Sequence, residues 1–217
     1  MPLIPNQTES GSQVFRAVLR GAAGFAIVSL AGFSVWAFGG KWLYMNTGEV
    51  GLYSACLVTF LGLSGVLLHP LVRDPRPLLQ FYRIFTPAFF AYAILWCAAW
   101  FAWRFGTGEW VGSLVGCVAF AAVTGWGFGN YHGFVKVCIG VFCCHSAGYF
   151  LGGKLMHWMA GPGAAAMLTG FSKAQLSLAA KLSWGLLYGL GFGAGIGYAF
   201  CVFQFRVNPA ATARDGV

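Results

Sequence analysis

Charge is what this chain has least of. Only 8% of its 217 residues are Asp, Glu, Lys or Arg, against roughly 25% in soluble domains, while 59% are hydrophobic and the mean hydropathy is +0.72. A soluble fold is excluded on that composition. Acids are the scarcest group, five in all, and the sequence places them at helix ends or in tails. No acid, base and nucleophile converge, so the reading leans away from an enzyme. No Cys-x-x-Cys pair occurs, and the seven cysteines all fall in apolar runs, where they read as small buried residues and not as a disulfide framework. Cys138 and His145 share a helical face, but Cys143 and Cys144 point elsewhere, so no four-ligand zinc site forms and no metal is expected. The net charge of +8 flanks hydrophobic helices instead of forming a basic patch with interleaved aromatics, which argues against nucleic acid.

Long apolar runs are what the chain has instead. Six are long enough to cross about 30 Å of hydrocarbon, at about 17–38, 50–70, 84–103, 110–129, 134–152 and 182–205. The fold expected is an all-α integral membrane protein, a six-helix transmembrane bundle. One domain, 16–206, lies between a polar N-terminal tail, 1–15, and a C-terminal tail, 207–217. The first run, "GAAGFAIVSLAGFSVWAF", exceeds the roughly 7–15 residues of a signal-peptide core and no A-x-A-like site follows, so it is expected to be retained.

Lys/Arg placement sets the expected topology. With the N-terminus inside, Arg16, Arg20, Arg73, Arg76, Arg83, Lys136, Arg206 and Arg214 are cytoplasmic, against Lys41, Arg104, Lys154, Lys173 and Lys181 outside. Both termini are therefore expected inside, in a plasma or inner membrane. Arg73, Arg76 and Arg83, in "HPLVRDPRPLLQFYR", are candidate ligands for anionic lipid headgroups, beside their simpler role as positive-inside anchors.

Repetition suggests how the helices are grouped. "TGE" at 47–49 recurs at 107–109, a shift of 107 − 47 = 60 that also aligns Arg16/Arg76, Phe25/Phe85 and Trp36/Trp96. "GWGFGNYHGF" at 125–134 matches "GLGFGAGIGY" at 189–198. Three tandem two-helix hairpins in parallel orientation are the simplest reading. Within each "TGE", the threonine is suited to cap a helix and the glutamate to sit in its first turn, favoured by the helix dipole. The functional alternative makes Glu49 and Glu109 a cation-attracting outer mouth.

Glycine is abundant where a soluble helix would avoid it. In "YGLGFGAGIGYAF", with Gly185 just before it, Gly185, Gly189, Gly193 and Gly197 share one face, and Gly191 and Gly195 lie nearly opposite. A helix thin on two sides packs closely between two neighbours, a glycine-zipper arrangement; the rival reading is an unwound stretch lining a solute path.

Few polar residues remain inside the spans. His145, with Ser146 and Tyr149, is the default candidate for a buried functional group, with Lys136 and Lys181 at helix ends as further candidates for a solute path. Lys181 approaches mid-membrane depth if the last helix begins near Ser172, and snorkels to the surface if it begins near 182. No cofactor is expected, although His69 and His132 at the inner surface leave room for a single haem. Two functional classes follow: a small-solute channel or carrier, or a non-catalytic subunit whose grooves receive partner helices, lipids or pigments. Expected partners are membrane lipids, especially anionic ones, with further copies of the chain or other membrane subunits.

Overall fold

A computed structural model describes residues 7–204. Arg206, Arg214 and the tail at 207–217 lie outside the described residues, as does the first part of the N-terminal tail. Every long element is a helix: α1 (Gln7–Leu68), α2 (Pro77–Trp103), α3 (Thr107–Phe128), α4 (Phe134–Ala160), the single-turn-and-a-half α5 (Pro162–Met167) and α6 (Lys173–Gln204), with a 3-10 turn at His69–Leu71. The long helices are all apolar enough to cross a membrane.

α1 is two antiparallel arms, 7–47 and 49–68, reversed at Gly48. That residue takes φ 68°, ψ −168°, a conformation that strains a residue with a Cβ and that glycine adopts without cost. The reversal brings Gly24 against Leu68 and Gly32 against Phe60, and the Cys56 thiol donates to Gly32 O at 3.6 Å. Counting both arms, the described residues hold six long apolar helical segments, which fits a multi-pass membrane protein. Large residues on the outward faces, Val58, Ile94, Val135, Ile139 and Leu151 among them, are exposed, as lipid-facing positions would be.

The helix ends differ from the expected ones for readable reasons. α1 starts at Gln7 and so includes much of the N-terminal tail, because a helix continues past the stretch that hydropathy detects. α2 begins at Pro77, whose missing N–H costs nothing at the first turn. α3 ends at Gly129, left-handed at φ 63°, whose N–H closes onto Gly125 and Trp126. α6 begins at Lys173, not near 182: the Ser172 backbone N–H donates to Gln175 Oε1 at 2.8 Å, and the Gln175 N–H returns to Ser172 Oγ at 3.3 Å. The threonines of the two "TGE" segments do not cap. Thr47 turns its hydroxyl back to Leu43 O, and Thr107 is already inside α3, with Gly106 at the cap position.

α6 lies between the first arm of α1 and α4. On one side Gly189 backs on Ala26 and Ser29, Gly193 on Gly21 and Gly197 on Ala17, while Gly185 meets the Phe33 ring; on the other, Gly191 backs on Cys144 and Gly148 and Gly195 on Val141. A Cβ at Gly189 would stand 2.7 Å from the Ala26 Cα, closer than backbone can accept. Two cross-helix bonds fix the depth of α6: Ser29 Oγ donates to Gly185 O at 2.7 Å, and Trp184 Nε1 to Tyr149 O at 3.1 Å.

The α2–α3 hairpin completes the bundle. Its rings close a phenylalanine core: Phe85 and Phe120 meet Phe25 of α1 and Phe192 of α6, with Phe25 and Phe192 edge to face at 5.5 Å. At one end of the bundle, the turn after α1 reaches both Gln13 and Gln204, and Asn130 Nδ2 donates to Phe203 O. The start of α1 and the end of α6 therefore share an end. The Gly48 reversal, the 104–106 turn and the 161–172 segment lie at the opposite one.

Candidate functional site

Several polar side chains inside the bundle form one column, because α2, α3, α4 and α6 each present them at a spacing of four residues; buried Ser29, Ser64 and Thr124 are not part of it. α2 supplies Tyr92 and Trp96, α3 Glu109 and Ser113, α4 His145 and Tyr149, and α6 Trp184 and Tyr188. At that spacing, side chains on a helix stack one above the other.

His145 is at the bottom of the column and fully buried, at 0% exposure. Its Nε2 lies 2.7 Å from Tyr92 Oη, and Tyr188 Oη donates to that same Tyr92 oxygen at 3.2 Å. Tyr92, accepting from Tyr188, has its own proton free for His145 Nε2, the arrangement in which Nδ1 is the N–H of the ring. Nδ1 has no hydrogen-bond partner. The ring is held edge-on by Phe192 at 5.2 Å and Tyr188 at 5.6 Å. One turn along, the Tyr149 ring lies nearly parallel to the imidazole, 8° apart with centroids 5.8 Å apart, and its hydroxyl donates to Glu109 Oε1 at 3.2 Å. Glu109 is half-buried in the first turn of α3, where the exposed amides of the helix end favour a carboxylate.

Several groups along the column carry unused hydrogen-bonding capacity. Ser113 Oγ, Ser146 Oγ and Trp96 Nε1 are buried without partners, as is His145 Nδ1. Ser146 lies on the α4 stripe with Phe142 and Phe150, both of which meet Trp110 of α3, so it faces α3. A buried polar group without a partner costs about 1–3 kcal/mol, and several in one region of lipid-embedded protein are unusual.

All three hydroxyl links cross the same boundary. Tyr92 and Glu109 belong to the α2–α3 hairpin; His145, Tyr149 and Tyr188 belong to α4 and α6. The column therefore lies where the hairpin meets the packed group of α1, α4 and α6.

The other residues singled out in the sequence fall elsewhere. Glu49 is exposed beside the Gly48 reversal, in an environment unlike that of Glu109, so the two glutamates share no local surroundings. Lys136 is exposed near the start of α4. Lys181 is half-buried on the third turn of α6, its Nζ 4.7 Å from the Trp36 ring, a cation–π contact on the α1 side, where Trp36 in turn meets Trp184. His69, in the 3-10 turn, bonds through Nδ1 to Gly65 O and Val66 O at the end of α1, and His132 is exposed in the 129–133 loop; among the described residues no contact joins them. All seven cysteines are free. Tyr92, Tyr188 and Trp184 carry no sequence signal that separates them from other ring residues of the spans, and only the helix packing brings them to His145. No family model, no curated protein and no solved structure matches the chain.

Proposed function

We propose that the protein is a membrane carrier for a proton or a small hydrogen-bonding solute, with His145 as the group that exchanges with it. One observation carries this reading: a fully buried imidazole whose Nδ1 is unpartnered, connected by an aromatic column to a carboxylate at one end of the bundle. Ionisable side chains inside membrane helices are expensive and mark substrate or proton routes by default. The unpartnered N–H and the two serine hydroxyls are suited to bind an acceptor oxygen or a chain of waters. Glu109 and Tyr149 are suited to pass a proton or polar solute toward the aqueous end. The three hairpins, read as parallel repeats, are in keeping with transporter architecture, as is a cytoplasmic location for the arginine-rich end.

Reconstitution of the protein alone tests this. Proton entry, read by a trapped pH dye under an imposed potential, and swelling in small protic solutes are measured for wild type and His145→Phe. Flux that disappears in the variant supports the proposal.

A second reading, as a subunit of a larger membrane complex, rests on the tip of α1. Trp42 is 66% exposed, Met45 73% and Val50 78%, an apolar surface at the bundle end suited to a partner helix. Absence of flux, together with stoichiometric foreign chains in native mass measurements after gentle extraction, would favour that reading over the carrier.

A further inference from the structure

We propose that the opposite end of the bundle binds one phosphate group of net negative charge, in a cavity between the start of α1, the turn after it and the end of α6. The cavity measures about 190 Å³, and its walls include Gln13, Arg16, Arg20, Leu71, Arg73 and Gln204. Two elements supply the charge. Gln13, Arg16 and Arg20 follow one another at three and four residues along one face of α1, and Arg73 reaches the same space from the turn. Among the described residues no Asp or Glu lines it, and the nearby Asp74 accepts from the Arg76 backbone N–H at 2.8 Å.

The walls are built. The Arg73 N–H donates to Gln204 Oε1 at 2.7 Å, Arg73 Nη2 donates to Gln13 Oε1 at 3.2 Å, and Gln204 Nε2 donates to Leu71 O at 2.9 Å. These bonds fix the turn, and with it Arg73, against α1 and α6, in the wall of the same cavity as Arg16 and Arg20. Arg guanidinium groups match phosphate oxygens with paired N–H donors, which point charges do not. The remaining wall is apolar, with Leu71 and Cys201 both buried. A cavity with three guanidinium groups at its rim and hydrocarbon below them suits the phosphate of an anionic lipid, whose chains leave along the helix surface. Its volume is below the roughly 300–1,000 Å³ of drug-sized sites, in keeping with a headgroup as occupant. Arg76 and Arg83, neighbours of Arg73 in sequence, do not line it.

Native mass spectrometry of the full chain, released from micelles holding equal phosphatidylglycerol and phosphatidylcholine, reads the proposal. Wild type is expected to retain one phosphatidylglycerol preferentially. Arg16→Gln/Arg20→Gln is expected to weaken that retention about thirtyfold, at roughly fivefold per arginine, while Arg76→Gln/Arg83→Gln keeps it. Excess inorganic phosphate or glycerol 3-phosphate distinguishes the sources: displacement of the lipid assigns the site to soluble phosphate, and persistence assigns it to a headgroup. Should the double variant fail to fold, the single Arg16→Gln variant and the wild-type lipid preference decide. Equal retention of both lipids by wild type, or equal loss in the two arginine pairs, overturns the proposal.

Discussion

Tyr92 Oη and His145 Nε2, 2.7 Å apart, join α2 to α4 in the middle of the bundle. Removing the hydroxyl in Tyr92→Phe leaves a buried imidazole with both nitrogens unpartnered. A double-mutant cycle with His145→Phe is expected to show a coupling of about 0.6 kcal/mol, the average for polar pairs between membrane helices, and no more than about 1.7 kcal/mol. Unfolding of the four proteins in detergent measures it. A coupling near zero would mean that the pair is a contact without an energetic bond.

Gly189 and Gly191 back on opposite neighbours of α6, so each tests one seam. Gly189→Leu and Gly191→Leu are each expected to destabilise by about 1–3 kcal/mol through overpacking, with Gly189→Leu acting on the α1 seam and Gly191→Leu on the α4 seam. Gly62→Ala and Gly153→Ala are the controls, since a Cβ there meets nothing within 4 Å. They should match or exceed wild-type stability, by up to about 0.5–1 kcal/mol from better helix propensity. Equal behaviour of all four variants in thermal melts would argue against close packing as the role of the α6 glycines.

Gly48 holds the α1 reversal in a conformation that only glycine adopts cheaply. Gly48→Ala is expected to cost about 1–3 kcal/mol although no side chain stands within 4 Å of the site. Melting of the purified variant checks this, and an unchanged midpoint would show that the arms reverse through another conformation.

Labelling reads the sidedness. Single cysteines at Asn46, Thr107 and Gly163 are expected to react from one side of the membrane, and those at Asp74 and His132 from the other, in a background where Cys97 and Cys143 are replaced. Asn46 reacting with the Asp74 group would mean that α1 does not cross twice.

The crossings were legible because twenty apolar residues in a row have one physical use, and the six runs coincide with the six helical arms. Helix ends were less so. Hydropathy marks the part of a helix that lipid covers, and α1 begins ten residues before its apolar run while α6 begins nine before its own, where Ser172 and Gln175 form the cap. His145 stood out because an ionisable side chain in such a run is rare. Its partners did not, because Tyr92, Tyr188 and Trp184 resemble every other ring residue of the spans until three helices are placed side by side. Arg73 drew attention together with Arg76 and Arg83 through proximity in sequence, whereas the structure groups it with Arg16 and Arg20, more than fifty residues away, by folding α1 back on itself.

The two glycine seams also set how the bundle can deform. Where backbone rests on backbone there are no side chains to change rotamer, so α6 cannot rotate or slide without separating from α1 and α4 at once, and these helices behave as a slab. The α2–α3 hairpin is held to that slab through larger, rotatable rings, which makes it the lever with the softer mounting. Any rocking of the lever opens the joint along Tyr92, Tyr149 and Tyr188, and three hydroxyl bonds are the latch that such a motion must release.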